Sequence, residues 1–484
     1  MTQIGSTLKD HGYSRMGGSI QASREFALFA EKQPERAINI IKQFQPKKQE
    51  RPAGMGIEGL SKTDVPSSDL FALIEDLSNN GFSTNEFRRN VAGGLRERAI
   101  KDKGLPDNII ELLKAWVIED GCQNVNESKD NDDEKEVRND SILWGHGGKF
   151  MLQGGRGIFI ESIALGYLLH KKPKYEQFAD FIKTMLDNEK HPKVWERTFH
   201  FMQCLFNWDK EKATKYYDQV LKICPGVIEN RVGIVAFANT FHYVGDKQII
   251  QNWITQIRNR GSDFHKQAFG ELLMHYIFQN PSDQWAKNQL NNVVDNAQYF
   301  REQRGVAFAA SHNWRHVNMR TTCNDILINL STTKDEMTQK AISLVFLHNE
   351  NMSFDEDMKK LINAILKNDN ILRKSAERLV EDIEYYTSIE PEIISNICVR
   401  VIEVGKDEIK KPGSRFSLVA ESIVSIALTL HHMQPPFREK GLKIFESLIE
   451  SNISYARQAL DILDRKSSAA ISTTRLRRRK RKRN

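Results

Sequence analysis

The chain has 484 residues, 40% of them hydrophobic and 27% charged, with only 13 prolines, which excludes wholesale disorder and favours helix over sheet. Its net charge of +7 is concentrated at one end: Arg475, Arg477, Arg478, Arg479, Lys480, Arg481, Lys482 and Arg483 contribute eight charges, leaving −1 for everything else. The body is electrically neutral, so a polyanion preference is excluded except at that tail or at a local patch.

Residues 1 to 20 are polar and glycine-containing and read as an irregular lead-in. Phe26, Leu28 and Phe29 give Arg24 to Glu31 a short apolar face, and Pro34 opens a second helix whose stripe is Ala37, Ile38, Ile40, Ile41 and Phe44. Gln45 to Ser67, with Pro46, Pro52, Gly54, Gly56, Gly59 and Pro66, reads as a loop. Ser68 or Asp69 then caps a helix carrying Leu70, Phe71, Ile74 and Leu77, which stops at Asn80-Gly81. Ser83-Thr-Asn-Glu86 fits a capping box ahead of Phe87, Val91, Leu95 and Ile100. Leu105-Pro-Asp-Asn precedes Ile109, Ile110, Leu112, Leu113, Trp116 and Val117.

From Glu119 to Asp140 nine acidic and three basic residues leave too little apolar surface to order the segment, which reads as a disordered linker or an acidic docking segment. Ser141 to Leu169 follows, with six glycines in its first half and a strongly apolar helix from Gly157. Because Trp144, Phe150, Met151 and Leu152 would otherwise face water, the glycine-rich part reads as a packed junction and a hinge candidate. Helices then recur over 175–188 with 191–207, 209–223 with 227–242, 246–260 with 263–279, and 282–297 with 303–330, the last being more than one helix. Later segments fall at 334–348, 354–367, 370–387, 391–404, 415–432, 436–450 and 452–464. No sustained two-residue alternation bounded by a hairpin turn occurs. Helix pairs every ~35 to 45 residues match stacked repeats. The expected fold is therefore all-α, an irregular helical-repeat solenoid, HEAT-like or tetratricopeptide-like. Its expected divisions are residues 1–118, a linker at 119–140, the solenoid at 141–464 and a disordered tail at 465–484.

Five cysteines lie far apart without C-x-x-C spacing, which points to a reducing cytoplasm. The first residues do not read as a secretory leader, and no stretch approaches the ~20 apolar residues of a membrane span.

The chemical motifs are incomplete. Gly147-Gly148-Lys149 lacks the first glycine and the Ser/Thr of a P-loop, since Leu143 and Phe150 stand there. Gly54-Met-Gly56-Ile-Glu-Gly59 spells G-x-G-x-x-G without a preceding strand. Lys149, Gly154, Gly155, Arg156 and Gly157 lead into a helix and are a candidate anion or ligand site, the alternative being glycines that allow tight turns and close helix approach. His312-Asn-Trp-Arg-His316 has zincin spacing but no glutamate base, so no metal site is expected. Arg301, Arg304, Arg315 and Arg320 alternate with Phe300, Phe308 and Trp314, either as a basic and aromatic face for nucleic acid or as core rings with surface arginines. The polybasic tail suits non-specific nucleic-acid or anionic-membrane binding, or a nuclear address. With no P-loop, metal motif or nucleophile constellation, the chain reads as non-catalytic and cofactor-free.

Arg24 to Phe29 with Pro34-Glu-Arg-Ala37, Arg88-Arg-Asn-Val-Ala-Gly-Gly-Leu-Arg-Glu-Arg-Ala99, Leu105-Pro-Asp with Leu112-Leu-Lys-Ala-Trp116, and above all Ser141-Ile-Leu-Trp-Gly-His-Gly-Gly148 form a sequence of features. In that order they resemble the C-terminal helical region of large bacterial STAND NTPases, including those of antiviral defence. The resemblance implies a helical-repeat sensor that recognises a ligand, often a foreign protein. In that family a P-loop module, absent here, supplies ATP binding. The expectation is a macromolecule-binding sensor arm of a split or truncated system. Its expected partners are a protein ligand and a separate P-loop ATPase; the alternative is a nucleic-acid-binding helical scaffold.

Overall fold

The structure, a computed structural model, describes residues 18–119, 140–145, 156–346, 354–408 and 415–450. Most of the acidic segment, Lys149, Gly154, Gly155, the helix expected at 452–464 and the polybasic tail lie outside the described residues. Among the described residues there are 22 α-helices and no strand, so the chain is all-α as its periodicity predicts. They fall into two compact units, one holding those of 1–136 and 147–253, the other those of 137–146 and 254–484.

The first unit contains α1 (Ser19–Lys32), α2 (Pro34–Ile41), α3 (Glu50–Ser61), α4 (Ser67–Asn79), α5 (Asn85–Asp102) and α6 (Asp107–Glu119). It continues with α7 (Arg156–Leu168), α8 (Tyr175–Asn188), α9 (Pro192–Met202), α10 (Lys210–Ile223) and α11 (Arg231–Ala238). Its odd-numbered helices form one stack, α3 resting on α1, α5 on α3, α7 on α5, α9 on α7 and α11 on α9. The core lies along that stack, with Ile57, Leu60, Phe87, Leu95, Phe159 and Phe199 all fully buried.

The stretch expected as a loop, Gln45 to Ser67, is in fact mostly helix α3. Glycine and proline disfavour an isolated helix, which is why the local signal points the other way. Pro52 sits in the first turn, where its missing N–H costs nothing, and the glycines are consumed by packing. A Cβ on Gly56 would lie 2.7 Å from the Phe26 ring, and one on Gly59 3.0 Å from the Ala27 carbonyl carbon. The G-x-G-x-x-G spacing is thus a helix-contact pattern, in which absent side chains let α1 and α5 approach α3.

Polar side chains tie up the helix ends. Buried Arg98 on α5 donates Nη2 to the carbonyls of Leu60, Thr63 and Val65 at 3.3, 3.1 and 2.8 Å, which closes the end of α3. Glu50, at the start of α3, accepts from the backbone N–H of Lys47, Ser83 and Thr84 at 2.8, 2.9 and 2.6 Å. Burial pushes that carboxyl up, but these bonds outweigh it and hold it below its ordinary range. The expected capping box is divided: Thr84 caps α5, while Glu86 turns away to Arg51 at 2.5 Å.

The boundary between the units falls inside α12 (Lys247–Asn259). The second unit has α13 (Asp263–Gln279), α14 (Gln284–Asp295), α15 (Phe300–Asn313), α16 (Val317–Leu330), α17 (Glu336–Ser343) and α18 (Glu356–Ile365). It ends with α19 (Asp369–Ile383), α20 (Pro391–Gly405), α21 (Arg415–His431) and α22 (Phe437–Glu450). The odd helices again stack, α15 on α13, α17 on α15, α19 on α17 and α21 on α19. Of the even ones, α18 rests on α16 and α22 on α20.

At the crossing of α13 and α15 the backbones touch. A Cβ on Gly270 would lie 2.8 Å from the Val306 nitrogen, and one on Gly305 2.9 Å from the Glu271 nitrogen. Glu271, fully buried beside this crossing, holds the short segment that precedes the glycine-rich stretch. Its carboxylate accepts from Ser141 Oγ at 2.7 Å, from the N–H of Ile142 at 2.9 Å and of Leu143 at 2.8 Å, and from Gln267 Nε2 at 3.1 Å. Burial raises the carboxyl above its ordinary range, and these bonds offset that only in part. Trp144 lands against His275 and Phe278 of the same helix, ring centroids 6.0 and 6.5 Å away. Residues 140–145 therefore belong to the second unit, although the helix that follows them, α7, belongs to the first.

A sequence interval recurs through both units. Arg51 reaches Glu86 over 35 residues, Arg88 reaches Glu119 over 31 and Asn108 reaches Glu75 over 33. In the second unit Arg304 reaches Asp335 over 31, Arg320 reaches Asp355 over 35, and Asn368 reaches the Ser331 carbonyl over 37. The bonds of Arg51, Asn108, Arg304 and Arg320 link a helix to the one two positions away or to its cap, whereas Arg88 reaches the end of the next helix.

Gly305→Ala is expected to lower stability by ~2–3 kcal/mol, because a backbone contact cannot yield, whereas Gly245→Ala, with nothing within 4 Å, should stay within ~0.5 kcal/mol of the parent. Urea unfolding of the two variants makes the comparison. Glu271→Ala strips the partners from buried backbone amides, a penalty of ~1–3 kcal/mol. It should accelerate hydrogen exchange in residues 140–145 by about tenfold or more while α19 is unaffected.

Candidate functional site

Of the candidate anion site, Arg156 and Gly157 are described. Arg156 opens α7, is buried, and pairs with buried Glu189, Nη1 to Oε2 2.5 Å. Nearby in the unit, buried Glu161 takes both Arg96, Nε to Oε1 2.8 Å, and Arg197. A Cβ on Gly157 would meet only Arg197 at 3.7 Å, an ordinary contact, so packing does not demand this glycine. The charge of Arg156 is thus spent on a carboxylate within the fold.

The basic and aromatic segment is similarly taken up by the protein. Arg301 pairs with Asp263, Arg304 grips Asp335 with two bonds of 2.8 and 2.9 Å, and Arg320 meets Asp355 at 2.7 Å. Trp314 is 1% exposed and donates Nε1 to Asn324 at 3.1 Å, while Arg320 covers its ring at 4.1 Å. Arg315 alone of the four named arginines is exposed, the others being half-buried. His312 lies against the Phe308 carbonyl, Nδ1 to O 2.9 Å, and His316 is exposed at the turn before α16. Among the described residues no group of three or more His, Cys, Asp or Glu is arranged to hold a metal ion.

The second unit contains a cleft that no sequence motif announces. It has a volume of about 660 Å³ and is formed by the end of α12, the start of α13, α14 and the turn entering α15. Arg258, in the last turn of α12, is its fixed point. The guanidinium lies 4.6 Å from the Phe269 ring centre and 4.7 Å from that of Tyr299, a cation over two aromatic rings. Its Nε approaches buried Glu302 at 3.3 Å, and Nη1 lies 3.5 Å from the Gln289 side-chain oxygen. The wall that carries Tyr299 is pinned by buried Gln303, whose Nε2 donates to the carbonyls of Val293 and Asn296 at 2.9 and 3.1 Å. Trp285, half-buried, stands edge-on to Tyr276 with centroids 6.0 Å apart. The remaining lining is neutral and polar, Thr255, Asn259 and Gln298, with Lys266 at half-burial.

Sequence reasoning stopped at Arg301 and missed these residues, because an arginine at a helix end and a glutamate three helices later share no local pattern. The closest available signal was the turn region at 296–300, flanked by Trp285, Tyr299 and Phe300. Comparison of the chain with protein-family models, curated proteins and solved structures finds no match in any of the three.

One titratable group of the first unit has a defined pH consequence. Glu196 on α9 is buried and bonded by the Asn230 amide, and burial raises its carboxyl from 4.5 to about 7, offset only in part by Asn230 and Lys193. A carboxyl raised in the folded state stabilises the fold below pH 4.5 and withdraws that stability as the pH climbs to about 7. Glu196→Gln should therefore flatten the loss of stability between pH 5 and pH 8. It should leave the variant about 2–3 kcal/mol ahead at pH 8, measured by urea unfolding at the two pH values.

Proposed function

We propose that the chain is a non-catalytic, macromolecule-binding helical-repeat protein, an irregular solenoid of HEAT-like or tetratricopeptide-like type, whose ligand is a protein. The observation that carries this reading is the stacking of successive odd helices within each unit, with hydrogen bonds recurring at 31 to 38 residues. Such an array presents side chains from successive helix pairs along one surface, which suits an extended ligand. The free thiols of Cys204, Cys224, Cys323 and Cys398 agree with a reducing compartment such as the cytoplasm. Among the described residues no helix is long and apolar enough to cross a membrane.

The form suggested by the STAND resemblance is a sensor arm working with a separate P-loop ATPase in antiviral defence. Its support is the residue patterns around Pro34, Arg88, Leu105 and Ser141. Affinity purification from the native host, with and without infection, tests it: recovery of a P-loop ATPase is the expected result, and recovery of none under either condition removes it.

The nucleic-acid reading makes a different forecast. Since Arg301, Arg304 and Arg320 are already paired, polyanion affinity should reside in residues 475–484, be salt-dependent, and vanish on their removal. Fluorescence anisotropy with labelled DNA and RNA measures this. Affinity that persists in the truncated chain and falls with Arg315→Ala would favour the scaffold alternative instead.

A further inference from the structure

We propose that the cleft around Arg258 is a peptide site, and that it takes an extended segment of a partner protein by an acidic side chain. The proposal rests on the protein-binding reading and adds the place and the chemistry of recognition.

The charge count of the lining selects the ligand. Glu302 is the only carboxylate among the lining residues, buried and already facing Arg258 at 3.3 Å. Lys266 has no ion-pair partner among the described residues, so the lining carries one uncompensated positive charge. A single carboxylate matches that charge, whereas a phosphate dianion would be left half-neutralised in a partly desolvated site. The guanidinium is restrained by the Phe269 and Tyr299 rings, 4.6 and 4.7 Å away, and by Glu302 at 3.3 Å. With Nε facing Glu302 and Nη1 facing Gln289, Nη2 is the donor left for a ligand carboxylate, a charge-assisted bond.

The rest of the lining suits a peptide chain better than a sugar–phosphate backbone. Asn259, Gln289 and Gln298 bring primary amides, each both donor and acceptor, as is every peptide unit. The half-buried Trp285 supplies an apolar surface for a neighbouring side chain. At about 660 Å³ the cleft has room for a few residues.

The experiment pans a phage library of random dodecapeptides on the full chain, resynthesises the enriched sequences, and measures Kd by fluorescence anisotropy. Enrichment of Asp or Glu is expected, with about tenfold or greater weakening when that residue becomes Asn or Gln. A similar loss is expected with Lys266→Ala, which alters a partly exposed side chain, and with Trp285→Ala. The double variant Arg258→Gln with Glu302→Gln removes the guanidinium without orphaning the carboxylate; urea unfolding checks that each variant is folded. Resynthesis with free and amidated C-termini separates the two carboxylate sources: a requirement for the free terminus would overturn the side-chain assignment. Acidic peptides that bind equally well to the Lys266 and Trp285 variants would overturn the cleft and leave the protein-binding reading standing. Enriched peptides without Asp or Glu, or displacement of the peptide by an oligonucleotide in the chain lacking residues 475–484, would overturn the acidic-peptide assignment. No enrichment at all would count against both.

Discussion

Where α13 crosses α15 the two backbones are in contact, and only glycine at positions 270 and 305 permits it. The contact positions two buried carboxylates as well as two helices, for Glu271 follows Gly270 on one helix and Glu302 precedes Gly305 by one turn on the other. A buried carboxylate must find donors or cost several kcal/mol. Each finds them in a remote part of the chain: Glu271 in the backbone of Ile142 and Leu143, Glu302 in Arg258. One close crossing thereby fixes both the docking of the segment before the glycine-rich stretch and the wall of the cleft.

The same accounting explains why most of the arginines that the sequence singles out are engaged within the fold. Arg156, Arg301, Arg304 and Arg320 each meet a carboxylate. The pairs of Arg301 and Arg320 have a partly exposed carboxylate and add little individually to stability. Their effect is to neutralise the basic patch that residues 301–320 show in the sequence, and to tie helices to neighbours at a repeating interval. Lys266 lines the same cleft as Arg258 and has no ion-pair partner among the described residues.

Stacks of helices at this interval present polar side chains between apolar rows, so recognition is assembled from single residues of several helices. Arg258, Lys266, Gln289 and Tyr299 come from four successive elements. None of them is distinctive by itself, and a motif search has nothing to find.

The apolar period of 3.6 residues, together with caps and prolines, determined by itself that the chain is all-α and where most helices run. Positions such as Ile109, Ile110, Leu113 and Trp116 are buried as their spacing requires. It failed at α3, because glycine and proline weaken a helix in isolation and only close neighbours turn the missing side chains into an advantage. The pairing of each arginine, the attachment of Ser141 to Glu271 across 130 residues, and the cleft were decided by tertiary structure alone. The physical reason is range: periodicity records which face of a helix avoids water, whereas partners for charge and for backbone contact are chosen only when distant segments meet.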